Sequence, residues 1–545
     1  MSRALTERRA YAGMEPAEAL AAHETHRGIL KVLTGLLLAM FVGNMSATIV
    51  GNALPVIVGE IGGTQQQYTW IVTSTILAST AVTPIAGKLA DLYDKKTLLL
   101  VSMVVFLAGS VLAGLSTSAG MLIAVRVVQG VGMGANMVLT QIIIASLIPP
   151  RQRGRYNGYL GAVIAAATVS GPLVGGIIVD TPWLGWRWTF WVAVPFVLIA
   201  LAVLTRSLHV PAGGRPGARV DWLGAALISL SATLVLLWVS FADHAFAWAS
   251  WQSGALVGAA LVTAAAFVVV ERRAPEPVVP LSILTARTTA LAVVASLAVG
   301  TVMFGSNVFL GQYFQIGRGY SPTVAGWLGL PLMLGLLVSS TVAGNLVTRT
   351  GRWKPAVVAG VGLLTVGIGL MATVGSTTPV PLVALYLLVA GVGLGASMQN
   401  LVLAVQNTVG LGDVGAATAV VTFFRTLGGA VGIQALGAVY AQRVTALTLT
   451  GAADGGVDAA GTDAATASLD LGALPAAMAD LVRGAYGDAI GAVFAVAGVI
   501  SLLAFVATLF MRGSTLRSTW ATEVARVAPA EERRAVSDPP PDGRP

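Results

Sequence analysis

The residues in this sequence that could do chemistry are few, and the charged ones among them sit where charge is expensive. Arg126 and Arg425 fall inside long apolar runs, 119–147 and 416–440. A charge near a bilayer centre costs at least about 2.5–3.5 kcal/mol on insertion scales, so each must face a protein interior or a wet cavity. Gln129 lies one helical turn from Arg126 and can share its hydrogen bonds. Asp91 precedes Lys95 and Lys96 in a short polar string. Its carboxylate suits hydrogen bonds from a helix N-terminus or from a neighbouring basic residue. There is no cysteine, and His23, His26, His209 and His244 all fall outside the apolar runs. Disulfides, thiolate metal sites and an intramembrane histidine metal centre are therefore excluded, and no metal or other cofactor is expected. No carboxylate pair or His–Glu set lies in the apolar runs, which argues against an enzyme. No Gly-x-x-x-x-Gly-Lys-Ser/Thr loop is present, so ATP is not the direct energy source.

The elements that must position these residues are read from composition and periodicity. The 545 residues are 56% hydrophobic and only 10% charged, against roughly 25% charged in a soluble chain. That excludes a soluble enzyme, a disordered chain and a nucleic-acid-binding module. Apolar windows predict fourteen helices, at 30–53, 68–88, 97–115, 119–147, 158–179, 188–206, 222–241, 253–270, 289–314, 323–345, 355–374, 381–403, 416–440 and 489–511. Most are close to the roughly 20 residues that span a bilayer. The expected class is an all-α integral membrane protein. No cleavable signal peptide is expected, because Glu7, Glu15, Glu18 and Glu24 precede the first span without a short apolar core.

Basic residues orient the spans. With the N-terminus cytoplasmic, 26 of the 32 Lys and Arg residues fall inside, and only Arg187, Arg318, Arg443 and Arg483 fall outside. This positive-inside bias requires an even number of spans, places both termini in the cytoplasm and favours fourteen over thirteen. The net charge of +8 is then a topology signal and not the mark of an anionic partner.

The chain divides into a cytoplasmic tail at 1–29, a six-helix half at 30–206, a linker with two inserted helices at 207–288 and a second six-helix half at 289–511. A Gly/Ala/Asp-rich flexible outer loop at 441–488, partly helical near Leu474–Leu481, lies inside the second half, and a disordered cytoplasmic tail follows at 512–545. The halves are expected to be repeats. Gly87-Lys-Leu-Ala-Asp91 after the second span is matched by Gly344-Asn-Leu-Val-Thr348 after the tenth, each followed by basic residues, in loops joining the second and third helices of a set. Two such halves, with a site between them near the midplane, are a transporter architecture.

Further strings complete a pattern: Thr48-Ile-Val-Gly-Asn52-Ala-Leu-Pro55, Arg126-Val-Val-Gln129-Gly130-Val-Gly132, Gly171-Pro172-Leu-Val-Gly175-Gly176, Gly185-Trp186-Arg187-Trp188 and Gly319-Tyr320-Ser321-Pro322. In this order the chain resembles the fourteen-spanner drug:proton antiporters of the major facilitator superfamily. The resemblance runs from the first span to the last. It implies a major-facilitator fold of two six-helix halves plus two inserted helices. It assigns Gly87, Asp91, Lys95 and Lys96 to the gating motif A, with a positive-inside turn on lipid headgroups as the simpler reading. It gives Arg126 and Gln129 a part in proton coupling, against a structural hub that also involves the first helix. It makes Gly171, Pro172, Gly175 and Gly176 the antiporter motif, a small-residue face with a proline kink.

One departure matters. Where many relatives in that family carry an aspartate in the first helix, this chain has Ser46. No carboxylate lies deep in any expected span, which leaves Asp180, at an outer helix end, as the best candidate proton carrier. It also implies weak selection for cationic cargo. Polar candidates for a substrate cavity are Asn44, Ser46, Asn52, Asn136, Gln141, Asn307, Tyr313, Gln315, Asn400 and Arg425, with Gln312, Gln399 and the aromatics Phe304, Phe309 and Phe314 nearby. The expectation is a secondary-active exporter of lipophilic or amphipathic small molecules in the cell membrane, with protons and lipids as its other partners, no nucleic acid, and a monomeric state. The alternative is a dedicated exporter of an endogenous metabolite or lipid, not proton-coupled.

Overall fold

A computed structural model describes residues 16–516, apart from 62–64, 149, 182, 209–220, 243–244, 275–276, 278, 280, 321, 411–412 and 456–475. Fourteen long helices follow in order: α1 (Pro16–Glu60), α2 (Gln65–Leu92), α3 (Lys95–Gly114), α4 (Ala119–Leu147), α5 (Pro150–Asp180), α6 (Ala193–Ser207), α7 (Trp222–Phe241), α8 (Trp251–Glu271), α9 (Arg287–Gln312), α10 (Leu330–Thr350), α11 (Lys354–Met371), α12 (Val380–Gln406), α13 (Val414–Gly455) and α14 (Ala476–Leu509). Among the described residues thirteen of these segments are long and apolar enough to cross a membrane. The remaining one, α5, is 31 residues long, and its described apolar stretch is Tyr159–Thr168.

Two observations establish the repeat. In the first half α4 packs between α2 and α3, and α1 packs on α5 and α6; in the second, α12 packs between α10 and α11, and α9 packs on α13 and α14. Small residues bring these partners close. On α4, a Cβ at Gly130 would lie 2.5 Å from the Thr75 carbonyl oxygen, and one at Gly134 would strike the Ser79 backbone. On α12, Gly391 and Gly395 meet the backbones of Leu332 and Leu336 on α10 in the same way. The inserted pair α7–α8 stands outside the halves, with α7 against both α2 and α13. Ser229 of α7 donates to the Ala81 carbonyl of α2 at 2.9 Å.

The halves meet through α2 with α13 and through α5 with α10. At the end of the bundle that carries Lys95, Arg349 and Lys354, called here the basic end, the joint is dense. Val138–Ala145 of α4, 393–407 of α12 with its cap, and Val414–Phe423 of α13 are buried on every side. A helix buried all round must be enclosed by protein on all faces.

Two expected boundaries change. The outer loop expected at 441–488 is shorter, because α13 continues to Gly455 and α14 begins at Ala476. Val444, Thr448 and Ala452 recur every four residues as a buried stripe, facing a partner strip that includes Met478, Val482 and Ala485. The tail expected to be disordered from 512 begins with a docked strap. Ser514 accepts hydrogen bonds from Trp353 Nε1 at 3.2 Å and Asn407 Nδ2 at 3.1 Å, and the Leu516 amide donates to the Gly351 carbonyl at 2.8 Å. Gly351 has a φ of 67°, the left-handed cap that ends α10.

The seam makes a direct prediction. Gly134→Val, which drives a branched side chain into the Ser79 backbone, is expected to abolish the folded peak in fluorescence-detected size-exclusion chromatography. Gly120→Val, on the same helix but with nothing within 4 Å, is expected to leave it intact. Equal behaviour of the two variants would refute the seam.

Candidate functional site

Three constellations surround the plane between the halves. The first is at the basic end, where Asp91 closes α2 onto the start of α13. Its Oδ1 accepts from the Gly415 amide at 3.0 Å and its Oδ2 from the Ala416 amide at 2.9 Å. The first amides of a helix have no intrahelical acceptor, and the dipole there favours an anion. The approach depends on Gly87, whose absent Cβ would strike Ala419. Lys96 Nζ donates to the Thr205 carbonyl at 2.8 Å and so neutralises the C-terminal end of α6. Lys95 opens α3 beside the cap residue Asp94, whose carboxyl is held below the ordinary carboxylate range by the Thr97 hydroxyl 2.6 Å away. The second motif copy makes no matching contact. Thr348 donates back to the Gly344 carbonyl of its own helix at 2.9 Å.

The second constellation is inside the first half. Arg126, 4% exposed, donates from Nε to the Ile71 carbonyl at 3.2 Å and from Nη1 to Gln129 Oε1 at 2.7 Å. Gln129 Nε2 continues to Ser110 Oγ at 2.9 Å, and Ser110 donates to the Phe106 carbonyl at 2.9 Å. The arginine thus ties α4 to α2 and α3, not to α1. The acceptors in this chain of bonds are all neutral. On the α1–α5 seam, a Cβ at Gly171 would strike Thr48 and one at Gly175 would lie 3.2 Å from the Ile49 carbonyl oxygen. Thr48 Oγ1 also reaches the Ala167 carbonyl at 3.3 Å. The side chains of Pro172 and Asp180, together with Gly176, lie outside the described residues, as do those of Asn52 and Asn307.

The third is a cavity of about 100 Å³ between the halves. Five of the chain's fourteen methionines line it: Met40, Met133, Met137, Met303 and Met398. Phe304, Ile76, Ile164 and Ile433 add apolar surface, and Asn44, Asn136, Ser79, Thr83 and Thr426 add polar edges. Asn44 and Asn136 are partly spoken for, donating to the Met40 carbonyl at 2.8 Å and the Ala39 carbonyl at 3.0 Å. The methionines were not read from the sequence as site residues. The signal was present in Met133 and Met137, one helical turn apart on α4, and in Met303 beside Phe304.

The other cavity candidates are placed elsewhere. Tyr313 is buried in a π-helical turn, Tyr313–Gly317, and its hydroxyl donates to the Gly375 carbonyl at 3.1 Å, pinning the end of α9 to the loop after α11. Gln315 is exposed on that turn. Phe309 packs edge-on against Tyr440 of α13, with centroids 5.7 Å apart. Only Phe304 of the four aromatics reaches the cavity, because the others face α11–α14 within their own half. Ser46 is buried, does not line the cavity and has no partner for its hydroxyl. Gln141, Asn400 and Arg425 are buried just outside the cavity wall. A buried carboxylate that periodicity did not suggest is Glu271, at the last residue of α8, which accepts from the Val279 amide at 3.1 Å.

Comparisons with known proteins bear on this arrangement. The family profile described as Major Facilitator Superfamily matches residues 36–433. An uncharacterised MFS-type transporter of Mycobacterium tuberculosis is 40% identical over 484 residues, covering 88% of this chain and 69% of that one. The multidrug transporter protein MdtP of Bacillus subtilis is 34% identical over 412 residues, covering 76% of this chain and 75% of that one. The solved structure of the proton:xylose symporter XylE superposes with a TM-score of 0.60 at 14% identity, covering 90% of this chain and 98% of that one, a likeness of fold.

The Arg126 network is testable by stability. Arg126→Ala takes the charged donor from the Ile71 carbonyl, which keeps its contact with Ser74 Oγ, and leaves Gln129 Oε1 without its donor, at about 1–3 kcal/mol for a buried group left unpaired. The expected result is a clear fall in the thermal midpoint of the detergent-solubilised protein, with a smaller fall for Ser110→Ala at the end of the chain of bonds. An unchanged midpoint for Arg126→Ala would mean that the network does not hold α2, α3 and α4 together.

Proposed function

Because this chain belongs to the Major Facilitator Superfamily, whose members are transporters and not enzymes, we propose that it exports lipophilic or amphipathic small molecules by alternating access, in exchange for protons. The observation that carries this reading is the methionine-lined cavity between the halves, closed at one end by the Asp91 contact. Methionine is unbranched, flexible and polarizable, and it suits surfaces that accept many shapes. The label of MdtP as a multidrug transporter protein points to the same class of cargo.

In this reading the basic end faces the cytoplasm of a cell whose membrane the chain spans, and both termini lie on that side. Asp91 is the gate latch: while it holds the α13 amides, the cavity is shut from the cytoplasm. Releasing it lets the halves rock apart at the basic end and load cargo. Lys95 and Lys96 anchor that end to α6 and to lipid headgroups. The Gly171 and Gly175 seam keeps α1 tight on α5 as the half rocks. Asp180, at the end of α5, carries the exchanged proton, and the Arg126–Gln129 network positions the helices around that path.

Three outcomes are expected. Everted membrane vesicles with an imposed pH gradient should accumulate a lipophilic dye, and a protonophore should abolish this; no accumulation, with a known antiporter active in parallel, would count against export. In the same vesicles Asp180→Asn should lose proton-driven accumulation, and unchanged transport would remove Asp180 as carrier. Because the chain has no cysteine, Met137→Cys places a single reporter in the cavity. A membrane-impermeant maleimide from the cytoplasmic side should label it about tenfold faster with Asp91→Asn, since charge-assisted bonds worth about 1.5–3 kcal/mol are lost. Equal labelling rates would show that Asp91 is no latch.

A further inference from the structure

Two arginines are buried in this bundle, and they are treated differently. Arg126 is satisfied by a carbonyl and an amide oxygen. Arg425, 2% exposed on α13, has no hydrogen-bond partner for either Nη1 or Nη2 among the described residues. A guanidinium does not deprotonate in a protein, so its charge needs a counterpart. Among the described residues no carboxylate pairs with it, and Asp91 on the neighbouring α2 is taken by the Gly415 and Ala416 amides. The sequence has no Asp or Glu between Glu276 and Asp413, or between Asp413 and Asp454, a stretch that includes α9 to α12 and nearly all of α13. On α14, Asp480 is taken by Arg483 at 2.7 Å, and Asp488 accepts from the Ser376 amide at the far end of the bundle.

Other groups around this level are also unpartnered. Gln406 Nε2 donates to Thr418 Oγ1 at 2.8 Å, fixing α12 against α13. These helices run antiparallel, so seven residues along each, about two turns, bring Gln399 level with Arg425. Gln399 Nε2, Asn400 Oδ1 and, one turn nearer the basic end, Thr422 Oγ1 all lack a partner, as do both amide atoms of Gln141 on α4. Each such group costs free energy when sealed empty. The next residue, Thr426, lines the cavity.

We propose that Arg425 is the anchor for an anionic head group, and that the cargo of this exporter is amphipathic acids: a carboxylate or sulfonate on a lipophilic body. The inference rests on the export reading given above. When the basic end opens, the segments of α4, α12 and α13 that are buried on every side here part, and Arg425 with Gln141, Asn400 and Thr422 becomes the loading surface. The guanidinium takes the anion through paired N–H donors, and the apolar body rests on the adjoining methionines. Among the described residues no carboxylate lines the cavity to select a cation, while Arg425 beside it is a buried cation with both Nη atoms unpartnered.

The test uses the purified full chain in liposomes with three probes sharing one body: 11-(dansylamino)undecanoic acid, its methyl ester, and the matching trimethylammonium compound. Wild-type protein should transport the acid with a KM about tenfold below that of the ester, the worth of one charge-assisted hydrogen bond. Arg425→Gln should raise the KM for the acid about tenfold while leaving the ester unchanged, and Arg425→Lys should recover part of the loss. Equal handling of acid and ester by the wild type, a preference for the ammonium compound, or an unchanged KM for the acid in Arg425→Gln would overturn the assignment while leaving export standing. If wild-type protein moves none of the probes, export fails, and saturable quenching of tryptophan by the acid on detergent-solubilised protein decides Arg425 separately. Absence of that binding, or equal binding by the ester, overturns it; acid-selective binding lost in Arg425→Gln sustains it. The wild-type comparison does not depend on any variant folding.

Discussion

The bond between Asp91 and the first amides of α13 gives this bundle its direction. Two pseudo-symmetric halves could meet equally well at either end. A carboxylate shared by two backbone amides, at 3.0 and 2.9 Å, ties them at the basic end, where α2 meets α13. The contact requires α2 and α13 to touch, and therefore glycine on both sides: Gly87 faces Ala419, and a Cβ at Gly415 would strike the Asp91 carboxylate itself. The related position in the second half, Thr348, turns back onto its own helix. At the α5–α10 joint Gly161 packs directly against Ser340. The charge-assisted contact described here is at the α2–α13 seam, so a signal that neutralises or displaces the Asp91 carboxylate acts on that side of the molecule.

Around that closure the helices are held by close approach and by neutral hydrogen bonds. This follows from the solvent. Lipid offers little hydrophobic gain for helix association, so packing of small residues and backbone-directed hydroxyls takes its place. The Arg126 network is the same economy applied to a charge: its acceptors are backbone and amide oxygens, which need no second buried ion. The cavity between the halves differs in kind. Its walls are methionine, with few polar atoms, so it can repack around different bodies.

Much of this could be read from the sequence, and the remainder has a physical reason for being hidden. The spans and the repeat follow from run length and the Gly87/Gly344 strings, both of which are one-dimensional signals. Asp91 was readable as an acceptor for a helix end, because an acid beside basic residues has little other use in a tight turn. What sequence does not carry is azimuth between helices. Tyr313 and Phe309 look like cavity residues by type, yet within the second half Tyr313, in a π-helical turn, bonds the Gly375 carbonyl and Phe309 packs on Tyr440. The simpler reading of Arg126, a hub with Gln129 and the first helix, names Gln129 rightly, but the other bonds of the network run to α2 and α3. Methionine was passed over because it has no chemistry of its own. Val444, Thr448 and Ala452 carried a helical period through a stretch whose composition reads as loop.

The absence of Asp and Glu from α9 to α12 and nearly all of α13 has an energetic consequence once the cargo is an anion. In a cell that is negative inside, moving one elementary charge through the membrane is worth about 2.3 kcal/mol per 100 mV. Exporting a cation against one incoming proton moves no net charge, so only the pH gradient drives it. Exporting an anion against one incoming proton moves two charges in the favourable direction. The same exchange then draws on the membrane potential twice over. A carrier for such cargo needs a buried cation to hold the anion and has no use for a deep acid to select a cation. Arg425 without a partner, Ser46 in the first helix, and a run without Asp or Glu from Glu276 to Asp413 are the three features such a carrier would need, and here they occur together.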